Sequence, residues 1–137
     1  MRCHPAAIIV AVFLTVTTLL GCHSGDGPTS PGSALVGVWG ADGGIVELTG
    51  AGGTLRFHCA IAELDEAVHP ASDGVFSVGG WYSRAVGPEP YSRQEALFRG
   101  RVRGTELELN VTLVSTGRTV QMLVLQLDVA GQVRTCR

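Results

Sequence analysis

The chain has 137 residues, 45% of them hydrophobic and 16% charged, with a formal net charge of −2. That length suits a single core rather than several domains. Without a basic excess there is no electrostatic footprint for nucleic acid, which excludes it as a partner bound through phosphate charge.

The first segment has the layout of a secretory signal: Arg2 supplies a positive start, Ala6 to Leu20 an apolar helical run, and Gly21 a small residue at its end. A run of about 15 residues is short for a membrane-spanning helix, which needs about 20. The sequence Leu19-Leu20-Gly21-Cys22 resembles the lipobox of bacterial lipoproteins. The resemblance implies a signal peptide over residues 1–21 and a mature chain that begins at Cys22, carrying palmitate-type acyl chains. The membrane is then a partner through that lipid. Each buried methylene contributes about 0.8 kcal/mol, so two or more chains hold stably. His23 rather than Asp after the cysteine implies the outer membrane if the host is Gram-negative. The alternatives are an ordinary signal peptide and an uncleaved anchor, and both still export the domain.

Residues 22–34 carry no side chain large enough to anchor a fold, so the lipidated cysteine is expected to lead into a flexible tether, on the order of 20 Å as a coil. The folded domain is expected over residues 35–137. With the signal removed, nine arginines face twelve carboxylates. Cys3 leaves with the signal and Cys22 is taken by lipid, which leaves Cys59 and Cys136. An oxidising exported compartment favours a disulfide between them, tying an early strand to the final one. Two free thiols or half of a metal site are the alternatives.

From Leu35 onward, short alternating segments are punctuated by turn residues at Asp42-Gly43-Gly44, Gly50 to Gly53, Asp73-Gly74, Gly87-Pro88, Gly104-Thr105, Thr116-Gly117 and Ala130-Gly131. This spacing belongs to antiparallel hairpins. Leu55, Phe57 and Cys59 share one strand face, and Phe76, Val78, Gly80 and Tyr82 another. A Gly104-Thr105 turn sets Arg103 opposite Glu106 and Arg101 opposite Glu108 on the solvent side. The same register puts Val102 opposite Leu107, Phe98 opposite Val111 and Ala96 opposite Leu113 on the buried side. Inward Gly80 and Gly100 leave room for a large neighbour, with Trp39 or Trp81 as candidates. Met122-Leu123-Val124-Leu125 is apolar on both faces, which predicts a central or covered strand. Ala60 to His69 reads as a strand followed by an irregular loop. About eight strands favour a small all-β antiparallel barrel, with a β-sandwich as the alternative.

No residue set carries a catalytic or metal-binding pattern. His58 and Cys59 diverge if both lie in a strand; Glu63, Asp65 and Glu66 lack the spacing of a calcium loop; and Ser77, Ser83, Ser92 and Ser115 lack a nucleophile context. Neither a cofactor nor enzyme activity is expected. The long loop from Arg84 to Arg93 carries Tyr91 and follows Trp81 and Tyr82. With Trp39, these aromatics are the candidate contacts for a ligand or partner.

Gly37-Val38-Trp39 resembles the Gly-x-Trp near the start of lipocalin-like and avidin-like barrels. A second resemblance runs through Phe57-His58-Cys59-Ala60, Asp73-Gly74-Val75-Phe76, Gly87-Pro88, the segment Ala96 to Gly104, Leu107-Glu108-Leu109 and Cys136. These positions resemble a family of short exported bacterial proteins of unknown function. That resemblance implies paired cysteines and an all-β domain. Since the chain is shorter than typical lipocalins, the barrel is expected to fill with its own side chains. The functional expectation is a membrane-tethered module that binds an envelope protein, with a carrier of a small apolar ligand as the alternative.

Overall fold

A computed structural model describes residues 32–136, so the signal peptide, Cys22 and the tether as far as residue 31 lie outside the described residues. The described residues form eight strands, as the sequence spacing implies: β1 (Gly37–Ala41), β2 (Gly44–Thr49), β3 (Gly52–Phe57), β4 (Ala60–Leu64), β5 (Val75–Arg84), β6 (Arg93–Arg103), β7 (Glu106–Leu113) and β8 (Thr119–Leu127). Sequence neighbours pair antiparallel and β8 returns to β1, which closes an up-and-down barrel. Closure rules out the sandwich alternative.

The β6–β7 hairpin has the expected register, from Arg103 opposite Glu106 to Ala96 opposite Leu113. Gly104 takes a φ of 59°, the positive value its turn demands of the first residue. The ion pair on this hairpin is nevertheless diagonal, joining Arg103 Nη1 to Glu108 Oε1 at 3.4 Å.

Alternate positions of all eight strands point inward, and Trp39, Phe98, Leu55, Leu107, Val111 and Leu125 are almost wholly buried there. Eight strands enclose a lumen that side chains can fill. The glycine vacancies on the inward rows accommodate phenylalanines, not Trp39 or Trp81. A Cβ on Gly100 would meet Phe76 Cζ at 2.5 Å as well as the Glu108 carbonyl, and one on Gly80 would meet Phe98 Cε2 at 3.0 Å as well as the Glu63 carbonyl.

One end of the barrel is plugged by Leu35 and Val68, both buried, whose backbones are joined by a 2.7 Å hydrogen bond from Leu35 N–H to the Val68 carbonyl. The other end carries the β1–β2, β3–β4, β5–β6 and β7–β8 connections. There His58 and Cys59 depart from the sequence expectation. They form the two-residue turn between paired Phe57 and Ala60, with Cys59 at a φ of 56°, so Cys59 does not extend the Leu55–Phe57 row.

The final segment is a tail rather than a hairpin strand. After Asp128, at a φ of 58°, the chain doubles back along the outside of β1. Gln132 N–H donates to Ala41 at 3.0 Å, Gly43 N–H donates to Gln132 at 2.8 Å, and Cys59 N–H donates to Arg134 at 3.1 Å. Cys136 then meets Cys59, with Cα atoms 5.0 Å apart, in a disulfide. It therefore ties the tail to a turn, not the last strand to an early one. β8 also differs from expectation. Its inner face is packed, but Met122 and Val124 on its outer face are 74% and 54% exposed.

Two stability predictions follow from this packing. Gly100→Ala should cost about 1–3 kcal/mol in urea denaturation because Phe76 and the Glu108 carbonyl must both move. Gly79→Ala, whose added Cβ meets nothing within 4 Å, should change stability by less than about 0.5 kcal/mol; equal losses would refute the packing role. For the disulfide, the sequence separation of 77 gives a loss of about 4 kcal/mol for Cys59→Ser with Cys136→Ser on the chain-entropy model. Alkylation of either cysteine without reductant would contradict it.

Candidate functional site

A gathering of aromatic and charged side chains on the outside of the barrel lies across β2 to β6. Strand register places it there. Glu47 stands opposite Thr54, Thr54 opposite Glu63 and Glu63 opposite Trp81, making one row across the wall. Arg56 opposite Ile61, Ile61 opposite Ser83 and Ser83 opposite Arg93 make the next row. All these positions face outward because they alternate with the packed interior.

The rows interlock diagonally. Arg56 Nη2 lies 3.3 Å from Glu47 Oε1, and Arg93 Nη2 lies 2.8 Å from Glu63 Oε2. The Arg93 guanidinium also sits 5.0 Å from the centroid of the Trp81 ring, a cation–π contact. Glu89, Pro90 and Tyr91 from the β5–β6 loop line the same groove, which encloses about 680 Å³. Ser83 is buried although its register faces outward, as expected of a floor residue beneath that loop.

The four aromatics singled out from sequence separate into two pairs. Trp81 and Tyr91 meet in the groove. Trp39 is 0% exposed inside the barrel and so cannot be a surface contact. Tyr82 also points inward, its ring 6.4 Å from that of Phe57, and its hydroxyl accepts a 3.3 Å hydrogen bond from Gln121 Nε2. The reason is strand parity: Trp81 and Tyr82 are consecutive, so one must face out if the other faces in.

Sequence reasoning missed Glu47, Arg56, Ile61 and Arg93 as members of the site. Their common signal is cross-strand register over five strands, which becomes visible once the His58-Cys59 turn is placed. From sequence Glu63 was considered only against the spacing of a calcium loop, whereas here it lies on β4 and holds Arg93. Among the described residues, no group of three or more His, Cys, Asp or Glu is assembled to hold a metal ion.

The groove offers an incoming molecule two aromatic rings and the Ile61 side chain, flanked by the Arg56–Glu47 and Arg93–Glu63 pairs. Glu89 adds one carboxylate that makes no ion pair among the described residues. The groove fits an extended, mostly apolar contact edged by hydrogen bonds. Compared with family models, curated proteins and solved structures, the chain matches none.

The contrast between the two tryptophans is directly measurable. Iodide quenching should show two populations of emission, with Trp39 shielded and Trp81 accessible. Trp81→Phe should remove the quenchable component; a single uniformly quenched population would contradict the placement of Trp39.

Proposed function

We propose that this chain is an exported bacterial lipoprotein, anchored at Cys22, whose barrel is a binding module for a protein of the cell envelope. The observation that carries the reading is the convergence of Trp81, Tyr91, Ile61 and Arg93 on one outer wall. Trp, Tyr and Arg dominate the energetics of protein interfaces because they combine large contact area with directional polar groups. Arg93 is preorganised by both Glu63 and Trp81, which lowers the ordering entropy that binding must overcome.

The interior supports the outer wall over a lumen as the contact surface. A carrier of a small apolar ligand needs free volume lined by apolar side chains, whereas the inward rows here interdigitate with one another and with the two phenylalanines set against glycines. Anchorage rests on the lipobox resemblance. The tether would leave the barrel wall free to meet a partner near the membrane surface.

The test uses the intact chain in its host. A photo-crosslinker placed at Thr54 or Glu89, both lining the groove, should give a discrete protein adduct in the membrane fraction. One at Thr112, outward on β7, should not. Trp81→Ala should abolish the adduct, while Cys22→Ala should abolish palmitate labelling and release the chain from membranes. Adducts of equal yield from all three positions would defeat the groove assignment. Retained palmitate in the Cys22 variant would defeat the anchor.

A further inference from the structure

The end of the barrel opposite Leu35 and Val68 is not plugged by apolar side chains. Its inward rows change character within one residue step. On β5, Phe76, Val78 and Tyr82 are followed by Arg84 in the same inward phase; on β6, Phe98 and Ala96 are preceded by Gln94; on β8, Leu125 and Leu123 are preceded by Gln121. The resulting mouth is a cavity of about 850 Å³.

Its chemistry is one-sided. Arg84, Arg118, Gln94, Gln121, His58 and the Tyr82 hydroxyl contribute to the lining, and no aspartate or glutamate does so. Arg56, Arg93 and Arg103 each hold a glutamate, whereas among the described residues Arg84 and Arg118 make no ion pair. Asp42 is the nearest carboxylate to the His58 ring, 3.8 Å from Nε2, but it projects into solvent outside the cavity. The floor is polar and ordered, with Gln121 donating to Tyr82. The wall is fixed as well, since His58 Nδ1 accepts a 2.8 Å hydrogen bond from Arg134 N–H and Cys59 is held by the disulfide.

Two unpaired guanidiniums above a floor of amide and hydroxyl groups recognise an oxyanion with a polar body. Guanidinium forms charge-assisted, frequently bidentate hydrogen bonds to carboxylate and phosphate, and side-chain amides and the phenol supply neutral donors below. We infer that the mouth binds a small soluble oxyanion, a carboxylate or a phosphate ester, clasped by Arg84 and Arg118 and seated on Gln94 and Gln121. The site is independent of the outer groove: no residue lines both. The chain N-terminal to β1 enters at the plugged end. The mouth therefore opens away from it, which favours a ligand from solution over a phospholipid headgroup.

The test is a titration of the full chain in neutral detergent with inorganic phosphate and, separately, with succinate, read on the side-chain amide signals of Gln94 and Gln121. At least one anion should shift these signals saturably, and Arg84→Gln with Arg118→Gln should raise its Kd about tenfold or more. Arg99→Gln, on the outside of β6, should leave the Kd unchanged. Near-UV circular dichroism checks that the double variant is folded, and the two single variants stand in if it is not. Shifts that never saturate for either anion, or a Kd that the mouth variants do not change, would overturn the inference. So would amide shifts that appear with phosphatidylglycerol vesicles but with neither soluble anion.

Discussion

Everything in this domain depends on closing the barrel at its weakest seam. β1 and β8 share two residue pairs, Trp39 with Leu127 and Gly40 with Gln126, whereas β5 and β6 share nine. Unpaired strand edges expose donors and acceptors and invite pairing with other chains. Here the tail reinforces the seam from outside, donating and accepting along Ala41 and Gly43 before the disulfide fixes its end. The close approach requires Gly40: a Cβ there would collide with the Val129 carbonyl and with the Gly131 backbone. From inside, Leu123 packs over the Gly43-Gly44 turn, where a side chain on Gly44 would meet Leu123 Cδ1 at 2.5 Å.

Closure imposes the phase that creates the outer groove. Once Trp39 is committed to the interior, the pairing of each strand with the next sets which residues face outward around the wall. A one-residue slip between β3 and β4 would turn Ile61 and Glu63 inward and put Ala62 and Leu64 into water. The apolar demand of the core thus specifies the position of Glu63, and through it the placement of Arg93 over Trp81. Trp81, Ile61, Glu63 and Arg93 are ordered by a core that none of them enters, and Ser83 is shielded by the overlying loop rather than by the barrel interior.

Strand content, the β6–β7 register and the barrel were legible in the sequence because each rests on local periodicity or on a glycine turn. The features that were misread all depend on distant backbone. Phe57-His58-Cys59-Ala60 carries no glycine, asparagine or aspartate, so nothing local marks a turn; Cys59 takes a positive φ, a conformation that costs a non-glycine residue about 1–2 kcal/mol, where tail and disulfide hold it. Ala130-Gly131 resembles hairpin punctuation, but its glycine serves a close crossing over Gly40 and Ile45. Met122 and Val124 alternate with inward Gln121, Leu123 and Leu125, so strand parity turns them into solvent although they are apolar. Of the candidate contacts, Trp81 and Tyr91 were legible as loop-associated aromatics. Their charged neighbours were not, because Arg93 and Glu63 lie at a sequence separation of 30 and meet only through the fold.

The latch and the mouth meet at one turn. His58 accepts from the Arg134 amide, and Cys59 donates its N–H to the Arg134 carbonyl and carries the disulfide, yet the same two residues form one wall of the open end. A turn with a non-glycine residue at positive φ would be a poor place for a binding wall if it moved, since recognition of a small polar ligand depends on donors held within fractions of an ångström. The tail removes that difficulty by fixing the turn from outside the barrel while Phe57, on the inner face beside it, packs against Tyr82. Rigidity at the mouth and integrity of the seam are therefore consequences of one connection, and the chain beyond β8 is part of the fold rather than an appendage to it.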